Sequence, residues 1–150
     1  MPEKKTIERA RRDKRQGKAP STQAGEFVRE EIEHVREGKH GARSTKQVIA
    51  IGLSKARRAG IRLPPPKKGK AKTATRKSAA SATRNRGRKT SPARSRANLR
   101  RLKREPKKAA SHAALARQAR AAARRRSAAA RSRAAKKAAR TRASGPTKRK

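Results

Sequence analysis

The chain has 150 residues, with 49 Lys/Arg against 9 Asp/Glu and a formal net charge of +40 at pH 7. It has no Cys, Trp or Tyr and a single Phe, which excludes disulfides, a thiolate zinc site, a cysteine nucleophile and base stacking on a set of aromatic side chains. Eight of the nine acids lie in the first 37 positions, while from Pro64 to Lys150 32 Lys/Arg face Glu105 alone, a charge of +31 over 87 residues.

Large apolar side chains are equally uneven. Ile7, Phe27, Val28, Ile32, Val35, Val48, Ile49, Ile51, Leu53, Ile61 and Leu63 can form the core of a small helical head, whereas Leu99, Leu102 and Leu115 are the only ones after Pro64. Alanine buries too little area to offset the entropy of ordering a chain, so the basic segment is expected to lack a core of its own. The expected fold is mostly α: a two- to three-helix N-terminal module over 1–63, a disordered Pro/Lys/Ser/Thr-rich linker over 64–92, and a basic Ala/Arg-rich, largely disordered but helix-prone tail over 93–150. The head core is marginal, about a few kcal/mol, which leaves room for a homodimer through the head.

In chain order, Thr6 is placed to cap a short helix reaching Gln16, with Gly17 as its stop and Ile7 as its one large apolar residue. That helix is expected to be solvated and partly formed. Pro20-Ser21-Thr22 opens a second helix running to Glu37 and closed by Gly38. Val28, Ile32 and Val35 form its apolar stripe beside Phe27. Glu26, Glu30, Glu33 and Glu37 line one flank, where they are placed to clamp basic residues of the same chain. Lys39 to Arg43 reads as a polar turn. Ser44-Thr45-Lys46-Gln47 fits a capping box for a third helix from Thr45 to Ala59, stopped by Gly60. Pro64-Pro65-Pro66 then makes a stiff spacer.

From Lys67 to Thr90 the composition is low-complexity and reads as disordered. Ala97 to Glu105 reads as a brief helix ended by Pro106. Ala109 to Ala143 combines strong helix formers with mutual repulsion, since thirteen cations stand between Lys107 and Arg142 without an anion. This segment is expected to become fully helical once phosphates neutralise it, and to stop at Gly145-Pro146 before Lys148-Arg149-Lys150.

Closely spaced cations attract phosphate and release counterions on binding, so the expected partner is nucleic acid. With Phe27 taken by the head core, duplex DNA held through its backbone is favoured, RNA being the alternative. The expected contacts are Lys67, Lys68, Lys70, Arg84, Arg86, Arg88, Lys89, Arg94, Arg96, Arg117, Arg120, Arg124, Arg125, Arg126, Arg131, Arg133, Lys136, Lys137, Arg140 and Arg142. Arg43, Lys46, Lys55, Arg57 and Arg58, around the third helix, join them from the head, and any sequence preference is expected there. Thr90-Ser91-Pro92-Ala93-Arg94 reads as a break between disordered pieces, or as a Ser-Pro turn whose cation enters the minor groove.

No Ser/His/Asp set, phosphate-cradling glycine loop or carboxylate dyad appears, so neither catalysis nor a cofactor is expected. Glu30 and His34 share a helical face with Glu37, but two ligands without a third of the right kind do not make a metal site. No window holds the about 18 apolar residues of a membrane span, and the N-terminus has no signal-peptide apolar run; the expected location is the cytoplasm, at the nucleoid.

The blocks Glu26-Phe27-Val28-Arg29, Arg36-Glu37-Gly38-Lys39-His40-Gly41 and Gln47-Val48-Ile49-Ala50-Ile51-Gly52-Leu53-Ser54-Lys55-Ala56-Arg57-Arg58-Ala59-Gly60 resemble a family of small bacterial proteins of unknown function, over residues 24–63. Gly52 stands where a second Ala is common in that block and is expected to loosen the helix. The tail resembles the Lys/Ala-rich tails of linker-histone-like and other nucleoid-associated bacterial proteins. Together these readings describe a non-enzymatic, histone-like DNA-binding protein. The competing readings are an RNA- or ribosome-associated basic protein, a transcriptional or plasmid regulator reading DNA through the head, and a membrane-active or polyphosphate-binding polycation, which the lack of a large apolar face opposite the tail's cations disfavours.

Overall fold

Seven α-helices and no strand are present among the described residues of the computed structural model, which are 2–69, 71–88 and 90–143. The side chains of Thr141 and Arg142 also fall outside this description. Helix α1 spans Lys4–Arg15, α2 Pro20–Glu37 and α3 Thr45–Arg58. The head thus has the three helices its punctuation predicts.

The first helix differs from expectation. Glu3 occupies its N-cap position, and Thr6 lies within the first turn, fully buried, with Ala10 and Asp13 also buried. This helix is docked on α2. Arg9 Nε pairs with Glu26 at 2.7 Å, Lys18 Nζ with Asp13 at 2.8 Å, and Gln23 Nε2 donates to the Lys18 carbonyl at 2.8 Å. Small residues explain the docking: Ala10 and Ala24 let the two backbones approach, and Phe27 and Ala56 fill the gap, flanked by Leu53, Ile61 and Leu63.

Helix α2 begins on Pro20 and ends at Gly38, whose φ of 81° supplies the left-handed C-terminal turn. Before α3, the Ser44 hydroxyl accepts from the Gln47 N–H at 3.3 Å, as predicted. The Gln47 side chain, however, reaches the Arg43 N–H at 2.9 Å, one residue earlier than a capping box requires. The two helices cross tightly at Gly52, where a Cβ would stand 2.6 Å from Val28 Cα and 2.9 Å from the Phe27 carbonyl oxygen. Gly52 therefore admits the α2 backbone.

The larger correction concerns everything after Pro66. Residues expected to be disordered, or helical only once neutralised, form α4 (Thr73–Arg84), a 3-10 turn (Lys107–Ala110), α6 (His112–Arg124) and α7 (Ala128–Ala143), while the brief helix expected over Ala97–Glu105 is present as α5 (Pro92–Lys103), begun earlier on Pro92. Alanine is the strongest helix former and arginine is close behind, and together they dominate these segments. Like charges at i,i+4 each cost about 0.2–0.5 kcal/mol, too little to cancel that propensity once salt screens them. Serine caps add to it: Ser111 Oγ accepts from the Ala114 N–H and Ser127 Oγ from the Ala130 N–H, each at 3.2 Å. The expected stop at Gly145-Pro146 and the end Lys148-Arg149-Lys150 lie outside the described residues.

Helix α4 packs Ala79 and Ala82 toward α3, and the Gly87 N–H donates to the Arg58 carbonyl at 3.1 Å. A second attachment enters the head core. Ala109 and Ala110 join Val35, Ala42 and Val48 in one apolar cluster, with Ile32 against it. The contact is fixed by backbone groups: Gly41 N–H to Leu102 O (2.9 Å), Ala42 N–H to Pro106 O (3.1 Å), Thr45 Oγ1 to Ala109 O (2.7 Å) and Arg36 Nε to Ala110 O (2.9 Å). A Cβ on Gly41 would lie 1.8 Å from the Glu105 carbonyl oxygen, so this approach needs glycine. The small alanines that seemed unable to build a core instead complete one made mostly by α2 and α3.

Candidate functional site

The cations expected to meet phosphate are placed in two ways. Lys67, Lys68, Arg84, Arg86, Arg88, Arg94, Arg96, Arg117, Arg120, Arg124, Arg125, Arg126, Arg131, Arg133, Lys136, Lys137 and Arg140 all have exposed side chains. On α6, Arg117, Arg120 and Arg124 follow i, i+3, i+7 and share one face; on α7, Arg133, Lys137 and Arg140 do the same at i, i+4, i+7. Lys70 and Lys89 lie outside the described residues, as does the Arg142 side chain.

In the head, Lys46 and Arg58 are exposed, and Arg43, three-quarters exposed, stands 3.8 Å from Glu105. Two others are turned inward. Arg57 is 8 % exposed, and its guanidinium donates to the Leu63 and Pro64 carbonyls, each at 3.3 Å. Burial lowers its pKa, and its role in this conformation is to tie the end of α3 to the spacer. Lys55 Nζ pairs with Glu30 at 3.3 Å and contacts Glu31 as well.

The acidic flank of α2 is likewise engaged within the head, and among the described residues its ion pairs are with head cations rather than with the tail. Glu26 holds Arg9, Glu30 holds Lys55, Glu33 holds Arg29 and Glu37 holds Lys39. Ser91-Pro92 is not a free turn either: Pro92 sits in the first turn of α5, a position where its missing N–H costs nothing.

A polar cluster stands where α2, the turn after it and α3 meet. Glu31 is fully buried, Glu30 is 1 % exposed, and His40 is 8 % exposed. His34 Nδ1 lies 3.6 Å from Glu31 Oε1, and His40 Nε2 lies 3.3 Å from Glu31 Oε2. Sequence reading selected Glu30, His34 and Glu37 and missed Glu31 and His40. One signal was present: Phe27, Glu31 and Val35 recur at intervals of four, which puts a carboxylate on the stripe that faces the core. His40 had no such signal, because it returns to α2 only through the reversal at Gly38.

Glu3, ahead of α1, reaches the same place. Its Oε1 accepts from His34 Nε2 at 2.9 Å and from Lys39 Nζ at 3.1 Å, and these bonds, that of His34 first, hold its carboxyl down from 4.5 to about 2. Lys39, bonded to Glu37 and then to Glu3, is raised above 10.5. A depressed carboxylate favours the folded state above its unfolded pKa, and that contribution is lost as pH falls through the folded value; for a raised lysine it is present below 10.5 and lost as pH rises past the folded value. The Glu3 anchor of α1 is therefore expected to be complete above about pH 4.5 and to be lost between pH 4.5 and about 2. Both side chains are about half exposed, 48 % and 51 %, so solvent screens the effect on overall stability. An NMR titration of the Glu3 carboxyl checks this; a midpoint at 4.5 or higher would mean that Glu3 anchors nothing.

Among the described residues no helix is long and apolar enough to cross a membrane. The chain matches no protein-family model, no curated protein and no solved structure.

Proposed function

We propose that the protein is a non-enzymatic, histone-like DNA-binding protein of the cytoplasm and nucleoid, gripping duplex phosphates with little sequence preference. The observation that carries this reading is the charge of +31 over residues 64–150, together with the exposed Lys/Arg side chains of α4 to α7 among the described residues, the half-buried Arg76 excepted. Such an array neutralises phosphates and releases counterions, which makes affinity steeply dependent on salt. Helical alanine stretches keep the cations at fixed intervals, so fewer rotamers and backbone angles are left to order on binding. The head anchors the array at two places and carries the exposed Arg43, Lys46 and Arg58 as additional contacts.

A salt titration of the full chain on a random duplex and on a structured RNA tests the proposal. The expected result on duplex DNA is a slope of log affinity against log salt near −7 to −9, corresponding to roughly eight to ten phosphate contacts, with similar affinity for unrelated sequences. A clear preference for the RNA transfers the reading to an RNA- or ribosome-associated protein. A slope shallower than about −3 removes the proposed role of the basic array.

A further inference from the structure

Glu31, His34 and His40 each bring one donor atom to within 4.8 Å of the others. The outward nitrogen of each histidine is already committed. His40 Nδ1 is 3.0 Å from the Gly41 carbonyl oxygen, which can only accept, so Nδ1 carries a proton. His34 Nε2 is 2.9 Å from Glu3 Oε1 and donates to that carboxylate. In the neutral rings the inner nitrogens, His34 Nδ1 and His40 Nε2, then hold lone pairs, and both face the Glu31 carboxylate at 3.6 and 3.3 Å. Lone pairs aimed at a carboxylate repel it unless something positive lies between them.

Three observations favour a metal ion as that positive charge. Donor atoms sharing one tetrahedral ion at about 2.0–2.1 Å are about 3.3 Å apart. The two nitrogen–carboxylate distances, to different oxygens of Glu31, are 3.6 and 3.3 Å, and one donor from each residue lies within 4.8 Å of the others, so the cluster draws together slightly on the ion. An outer N–H held by a carboxylate or a backbone carbonyl is the arrangement that orients metal-binding histidines. Neither oxygen of the fully buried Glu31 makes a hydrogen bond of good geometry, although Lys55 Nζ contacts one of them. When an ion takes Glu31, Lys55 still has Glu30 at 3.3 Å.

The local charge agrees. Around the two imidazoles stand Glu3, Glu30, Glu31 and Glu37 against Lys39 and Lys55, a surplus of two negative charges in a chain of net charge +40. A cleft of about 1550 Å³ gives access from solvent; Glu31, His34 and His40 line it together with cations such as Arg11, Lys14, Arg58 and Arg94, so the negative surplus is confined to the immediate surroundings of the two imidazoles.

We propose that Glu31, His34 and His40 form a binding site for one divalent transition-metal ion of the zinc class, oriented by Glu3 and the Gly41 carbonyl and completed by water from the cleft. Two nitrogens and one carboxylate suit zinc, and three protein ligands leave an open position. The ion joins α2 to the turn at His40 and, through Glu3, to α1.

The test uses the full chain stripped of nucleic acid, titrated with Zn²⁺ by calorimetry and with Co²⁺ by visible absorption. The expected result is one ion per chain with a Kd of about 1 μM or tighter and the absorption bands of four-coordinate cobalt. His34→Gln and His40→Gln are each expected to weaken binding by tenfold or more, and His112→Gln to leave it unchanged. Glu3→Gln alters a half-exposed group and spares the core, so it keeps the test valid if a histidine variant fails to fold; it is expected to weaken binding about tenfold. Affinity no tighter than about 1 mM, or equal affinity in the parent, His40→Gln and Glu3→Gln, overturns the site and leaves an imidazolium–carboxylate pair in its place.

Discussion

Replacing Arg124, Arg125, Arg126, Arg131 and Arg133 together with Gln is expected to reduce the salt slope of DNA binding by up to about 4.5, at roughly 0.9 per lost phosphate contact. All five side chains are exposed around the junction of α6 and α7. Glutamine is nearly as good a helix former as arginine, so the helices should persist and the charge alone should change. The parent is expected to lose about 10⁴- to 10⁵-fold in affinity between 50 and 200 mM salt, and the variant only about a hundredfold. Lys4, Lys5, Arg11 and Arg12, exposed on α1, serve as the comparison set and should alter the slope less. Equal slopes for parent and five-site variant would place the contacts elsewhere on the chain.

Gly52→Ala and Gly25→Ala are expected to shift the melting temperature in opposite directions. Both glycines lie in helices, where alanine is favoured by roughly 0.5–1 kcal/mol through the unfolded chain. At Gly25 a Cβ meets nothing within 4 Å, so that gain should appear as a higher Tm. At Gly52 the Cβ would overlap backbone atoms of Val28 and Phe27, at 2.6 and 2.9 Å, and backbone cannot step aside as a side-chain tip can. Overpacking costs about 1–3 kcal/mol, which outweighs the helix gain and should lower stability by about 1–2 kcal/mol. Thermal unfolding followed by circular dichroism separates the two; a rise in Tm for Gly52→Ala would mean that α2 and α3 pack less closely than described.

The head was legible because its punctuation is local. Pro20, Gly38 and Ser44 act within a turn of where they stand, and the boundaries of α2 and α3 follow from them. The basic segment was misread because its order depends partly on contacts across more than 60 residues. Ala109 and Ala110 look incapable of core formation until Val35, Ala42 and Val48 surround them. Gly52 was misread for the same reason: propensity counts the helix it sits in and not the helix it touches. The Glu31 cluster was half legible, since a carboxylate on the Phe27–Val35 stripe is anomalous on its own. Its histidine partner His40 comes from beyond the helix, where no periodicity extends.

The docking of Ala109 and Ala110 also dictates when the head can finish folding. Thr45 and Arg36 find their acceptors 64 and 74 residues downstream. Chains leave the ribosome N-terminus first at about 5–20 residues per second, so Val35 and Val48 stay uncovered for roughly 3 to 10 s after α3 has been made. By then α4 and α5 have also been synthesised, and the last apolar contacts close a loop that contains them. A nascent chain halted just short of Ala110 would thus hold the head's three helices around an open floor, with α4 and α5 already made. Completing the head and fixing the root of the basic arm are one event in the life of the chain.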